Sequence, residues 1–365
     1  METCSFPECD QPAGTIFCNA CKTTSYCSRL CETNDWSDHK EACESVICHK
    51  VGMAYHNKAM GIYKTLSNWT ETLRYCDLAL GKFNAVKKRP LEVISAALSI
   101  KCESLQMLNR LVEFLQCAEE KYNLWAVARG PAHPRTIEAA FHLIEGLMFN
   151  GNFEDANLFA HTLWEIIHTN NHVDNDIPGD KLQEYVATAA YLLAQAIYRL
   201  DESGGLPPEE KQTAGEEAIA RARQSLEIRT QLFGAESRSV ATAMGVFAAV
   251  LDFFSDGGDD EALRLNEQAI VIFLRVDGIS SPDVAACENN LGLAYYQRAT
   301  RVRHDIERYT ANMELALPHL REASSIYRAI NHVDAANRAS GNVIVIEEDL
   351  RQTRAVIAAV TTTRS

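Results

Sequence analysis

The chain has 365 residues, 47% of them hydrophobic, and a formal charge of −14. This composition excludes a disordered chain, and the acidity extends to residues 1–50, which argues against binding to nucleic-acid phosphates. No apolar run reaches the ~18 residues a bilayer span needs, and METCSFPECD lacks a basic flank before an apolar core; the expectation is a soluble intracellular protein, cytoplasmic and/or nuclear, with no membrane contact.

Twelve cysteines in a chain expected in a reducing compartment point to metal ligation rather than disulfides. The N-terminal element holds Cys4, Cys9, Cys18, Cys21, Cys27, Cys31, His39 and Cys43 in the pattern C-x4-C-x8-C-x2-C-x5-C-x3-C-x7-H-x3-C. Eight donors suffice for two tetrahedral zinc ions, and closed structural sites use four thiolates, or three with one imidazole. The C-x2-C pair presents two sulfurs from one turn, and His39 and Cys43, four apart, share one helix face. With few large apolar residues, this segment needs metal to supply most of its folding free energy. Every site is filled and no spare group is spaced as a general base, so the expected role is structural, with no catalytic residue.

The run Tyr26–Cys43, YCSRLCETNDWSDHKEAC, resembles the MYND-type zinc finger. The resemblance implies interleaved pairs: Cys4, Cys9, Cys27 and Cys31 on one zinc, and Cys18, Cys21, His39 and Cys43 on the other. It also implies a groove beside the second zinc for short proline-containing peptides, formed by the tryptophan matching Trp36 and by polar neighbours at Glu32 and Asn19. Trp36 has two roles open to it, peptide contact or packing of the finger. Glu32 stands where the family usually has glutamine, which would favour peptides carrying Lys or Arg.

From about residue 52 the apolar positions follow helical spacing. EEAIARARQSLEI (216–228), EALRLNEQAIVI (261–272) and ELALPHLREASSI (314–326) align at Ala218, Ala222 and Ser225; Ala262, Asn266 and Ala269; Ala316, Leu320 and Ala323. Each follows a helix with small residues at contact positions: Ala194, Gly245 and Gly292. This resembles the tetratricopeptide (TPR) repeat, in which small residues let paired helices approach closely. Extending the register upstream pairs Ala59 with Thr72, Leu98 with Leu111 and Leu143 with Ala156, giving about six helix pairs. Linkers such as LFGAESRSVAT and VDGISSPDVAA are similar to those of kinesin-light-chain repeats. SDGGDDE (255–261) reads as a solvated acidic loop, without the alternation of a calcium loop.

The expected architecture is therefore all-α: a small two-zinc MYND finger at 1–48, a TPR-like right-handed superhelix at 52–333, and a C-terminal capping helix and tail at 334–365. The expected function is that of a non-catalytic interaction scaffold, with a proline-containing segment on the finger and a separate protein on the repeats. The alternative is a relative, or regulatory subunit, of SET/MYND lysine methyltransferases. The asparagine-histidine signature of SET enzymes leads to cysteine and proline, whereas Asn171-His172 and Asn331-His332 both continue as Val-Asp, and no room remains for a strand-rich domain.

Overall fold

The structure, a computed structural model, describes residues 5, 7, 9, 16–65, 68–86, 89–169, 177–255, 260–330 and 332–364, with side chains up to 356 apart from 334. Cys4, residues 256–259 of the acidic loop, Asn171, His172 and Asn331 lie outside the described residues. The chain divides into two compact units, Met1–Asn150 and Gly151–Ser365.

The first unit opens with the antiparallel strands β1 (Ile16–Phe17) and β2 (Ser25–Tyr26) and the short helix α1 (Arg29–Asn34). Helices α2 (Trp36–Thr65), α3 (Trp69–Asn84), α4 (Leu91–Met107), α5 (Leu111–Arg129) and α6 (Pro134–Phe149) follow, each packed on its neighbour in sequence. The second unit contains α7 (Phe153–Thr169), α8 (Gly179–Glu202), α9 (Lys211–Phe233), α10 (Arg238–Phe254), α11 (Asp260–Val276), α12 (Pro282–Arg301), α13 (Ile306–Ala329) and α14 (Val333–Arg364). The fold is all-α, built of TPR-like helix hairpins behind the finger.

Small residues sit where the sequence register puts them: Ala194, Ala218, Ala248, Ala262, Ala269, Ala316 and Ala323 are completely buried. One junction recurs: Gly130, Gly234 and Gly278 adopt positive φ (80 to 86°) after α5, α9 and α11, a conformation open to glycine without steric cost. His133, Ser237 or Ser281 then caps the following helix through its side chain. A chain reversal and a helix start are thus encoded within a few residues.

The register fails in the second hairpin. Leu111 is the first residue of α5 and only half-buried, whereas the buried series is Phe114, Ala118 and Lys121. The turn after α4, with Asn109 at φ 54°, adds three residues to the constant spacing assumed from sequence. Correct alignment exposes an anomaly. Lys121 occupies the position of Ala79, Ser225, Ala269 and Ala323, is 5% exposed and has no carboxylate partner among the described residues. Its Nζ lies 3.5 Å from His142 Nδ1, which is 3.0 Å from the Glu138 carbonyl. Burial lowers the Lys121 pKa, and burial followed by the Lys121 charge lowers that of His142 to about 4.

Lys121→Met is expected to stabilise the chain by about 1–3 kcal/mol at pH 7, because an uncompensated buried ammonium is replaced by an apolar side chain of similar length. The native state binds the Lys121 proton less tightly than the unfolded chain. Wild-type stability therefore gains from this group as pH rises toward the unfolded-state lysine value of ~10.4, and the variant lacks that gain. Urea titrations of both proteins at pH 7 and 9.5 measure it; a less stable variant at pH 7 contradicts the reading.

Candidate metal centre and interaction surfaces

Two clusters of cysteine and histidine converge around the small sheet. Cys18, Cys21, His39 and Cys43 are all buried, with their donor atoms within 4.8 Å of one another, as are those of Cys9, Cys27 and Cys31. Cys18 Sγ lies 3.7 Å from Cys43 Sγ, and Cys21 Sγ 3.5 Å from His39 Nε2. In the other cluster Cys27 Sγ is 3.5 Å from both Cys9 Sγ and Cys31 Sγ. A tetrahedron with zinc–sulfur bonds of ~2.3 Å has edges of about 3.8 Å, whereas a disulfide would bring its sulfurs to about 2.05 Å. The donor types and separations fit zinc. The described donors thus gather as one group of four and one group of three, and Cys4 is the one expected donor outside the described residues.

Local chain geometry sets each donor. The Cys18–Cys21 knuckle closes with the Lys22 amide on the Cys18 carbonyl (3.0 Å) and with Lys22 at φ 58°, a left-handed conformation unusual for a side chain other than glycine. Ser28 caps α1, accepting from the Cys31 amide (3.3 Å) and placing Cys31 one turn from Cys27. His39 and Cys43 lie one turn apart at the start of α2. With His39 Nε2 turned to the cluster, its Nδ1 hydrogen-bonds Thr24 Oγ1 at 3.4 Å, a partner that fixes the ring's orientation.

Burial opposes ionisation of Cys21. Hydrogen bonds from the Thr23 hydroxyl, at 3.1 Å, and from the Thr23 and Thr24 amides more than offset it, bringing the thiol down to about 5. Cys43 is pushed up to about 12, first by burial and then by hydrogen bonding and negative charge at Cys18 and Cys21. Thiols crowded in this way do not all ionise alone; a divalent cation among them favours the thiolate form of every one.

Two contacts escaped the sequence reading. Tyr26 is fully buried and donates to Asp35 Oδ2 at 2.7 Å, linking β2 to the turn between α1 and α2. Its hydroxyl titrates well above the ordinary range, through burial and then the Asp35 contact. Lys50 of α2 donates through Nζ to the Cys21 carbonyl. Neither pairing leaves a periodic trace in sequence.

The outer face of the finger exposes Trp36 (42%), Phe17 (48%) and Leu30 (69%). Trp36 meets His39 edge-on, ring centres 6.2 Å apart, while the buried centre of the finger comprises Cys18, Cys21, Tyr26 and Cys43. The Cys18 amide donates to the Thr24 carbonyl (2.9 Å), so Phe17 and Ser25, one step along the antiparallel ladder, direct their polar groups outward. The Ser25 carbonyl accepts from the Ser5 amide, and the Phe17 carbonyl from Arg29 Nη1 at 3.4 Å. Arg29 also pairs with Glu32 and donates to Asn19 Oδ1 at 3.2 Å, while the Asn19 amide donates to Glu32 Oε1 at 3.0 Å. These contacts hold the Glu32 carboxyl below its ordinary value, the Arg29 hydrogen bond first and then the Asn19 amide. The Glu32 charge therefore already has a partner, and a preference for basic peptides does not follow from it.

In the second unit, α8, α10, α12 and α14 line a groove of about 530 Å³. Gln195, Asn289, Asn290 and Asn342 face it, and their side chains make no hydrogen bond among the described residues. Of the charges lining it, Arg199 is paired with Glu202, and Asp283 with Arg238. Arg338 has no ion pair among the described residues.

The MYND finger family model matches residues 4–43. Human Tudor domain-containing protein 1 is 30% identical over 84 residues, covering 18% of this chain and 7% of that protein; the chain thus spans a small fraction of its curated relative's length. Among solved structures, the Podosopora anserina putative kinesin light chain with TPR-like repeats is 16% identical, with a TM-score of 0.43 over 62% of this chain and 95% of that one. A Rap protein, complexed with competence and sporulation factor, is 13% identical with a TM-score of 0.47 over 89% and 81%. The TPR-like character of the helical region rests on its own hairpins and buried small residues. The finger match and the helix hairpins support a protein-interaction module. Among the described residues, no helix is long and apolar enough to cross a membrane.

Proposed function

We propose that this chain is a non-catalytic scaffold whose finger, holding two zinc ions, binds a short proline-containing segment at Trp36, while the groove of the second unit holds a separate polypeptide. In this reading residues 1–48 are the finger, 52–333 the repeats and 334–365 the cap and tail. The ligand sets are Cys4, Cys9, Cys27 and Cys31 for one zinc, and Cys18, Cys21, His39 and Cys43 for the other. The observation that carries the finger's role is the exposed Trp36 ring held edge-on against the ligand His39: a rigid apolar surface that costs little entropy to use and suits a proline ring. Arg29, Asn19 and Glu32 fix one another beside the outer edge of β1, where an extended peptide would find the outward-facing Phe17 amide.

The groove suits an extended chain because free carboxamides both donate to and accept from peptide groups. Arg338 adds a preference for an acidic side chain.

Titrating proline-containing peptides into the full chain, followed by calorimetry, tests the finger. Weak binding is expected from so small a contact, and Trp36→Ala should lower it at least tenfold, about 1.4 kcal/mol. Equal binding by wild type and Trp36→Ala would reduce Trp36 to a packing residue.

A further inference from the structure

We propose that zinc at the Cys18, Cys21, His39 and Cys43 site is a latch for the first helical hairpin, acting through α2. This helix runs from Trp36 to Thr65 without interruption, so the expected division between finger and repeats, at 48–52, falls inside it. Its first turns hold the ligands His39 and Cys43. One turn on, Val46 and Ile47 pack against the cysteine cluster, and Lys50 Nζ binds the Cys21 carbonyl. The same stretch engages α3: the His49 ring lies 6.0 Å from that of Phe83, and a Cβ on Gly52 would come within 2.6 Å of Phe83 Cε1. Residues 46–52 are therefore held between the metal knuckle and the hairpin's second helix.

Little of the front half of α2 is buried. Its buried residues are His39, Cys43, Gly52, His56 and Ala59, and before Gly52 these are the two ligands alone. A helix with so few buried contacts is marginal unless anchored at both ends. With zinc bound, the ligands fix one end and the α3 contacts fix the other. Without it, the helix frays back to Gly52, Lys50 loses its acceptor as the knuckle opens, and His49 leaves the face of Phe83. The metal state of the finger thus reaches α3 through one continuous helix rather than through a linker.

Hydrogen exchange on the full chain, with and without chelation, tests the latch. Amides of residues 44–56 and 80–84 should exchange at least tenfold faster without zinc, while those of 91–149 and 179–350 keep their rates. Lys50→Met, which retains every ligand, should keep its zinc content and exchange faster at 46–56 alone. Unchanged protection of 44–56 in the chelated protein overturns the proposal, as does loss of protection throughout 16–149, which would make the whole first unit metal-dependent. Wild-type rates at 46–56 in Lys50→Met would also overturn it.

Discussion

Cys43→Ser is expected to release the second zinc, unfold the finger from residue 16 and fray α2 back to Gly52, the largest single-residue effect in the chain. Cys43 is completely buried, its sulfur 3.7 Å from that of Cys18, and the finger's buried centre consists of three ligands and Tyr26. Removing one donor leaves an incomplete tetrahedron whose remaining thiols, crowded and buried, oppose one another's ionisation. Structural zinc contributes roughly 10–16 kcal/mol of apparent binding free energy in isolated fingers, far more than so small a core could replace. Most helical signal should survive, because the second unit has its own cores on α10–α13 and α12–α14. Zinc content and far-ultraviolet circular dichroism measure the two halves of this expectation; a Cys43→Ser protein retaining full zinc contradicts it.

Gly292→Leu should cost about 3 kcal/mol, at the upper end of the overpacking range, because one obstacle is backbone. A Cβ at Gly292 would lie 2.6 Å from Leu320 Cγ and 3.1 Å from the Ala316 carbonyl oxygen, and Leu320 and Ala316 are completely buried. The α12–α13 crossing must therefore open to admit any side chain. Gly81→Ala is the contrast: its Cβ meets nothing within 4 Å within the interior of α3, so lower backbone entropy in the unfolded state should stabilise by up to about 1 kcal/mol. Thermal melts of the two variants should move in opposite directions. A shift of the same sign would mean that close approach at Gly292 is not what holds the hairpin.

The contrast also explains what was legible in the sequence. Donor spacing and small-residue register are local or periodic, so the eight candidate ligands and the positions of Ala218, Ala262 and Ala316 could be read directly, whereas the division of the ligands between two ions came only from the family resemblance. The register of the second hairpin could not, because it depends on the left-handed turn at Asn109. The unbroken α2 was hidden for a different reason: its front half has no apolar stripe, being held by its ligands and Lys50. The pairing of Glu32 with Arg29 and Asn19 left no trace in the sequence, because it depends on how the knuckle folds over α1. Lys121 went unnoticed because the misaligned register placed Leu111 in the core series instead of Phe114.

The central claim, an interaction module organised by two metal ions, is tested most directly by counting zinc in the purified full chain, by native mass spectrometry alongside elemental analysis. Two zinc ions per chain are expected in the folded wild type, falling to one or none in Cys43→Ser. A correctly folded wild-type protein with one zinc or none would contradict the account.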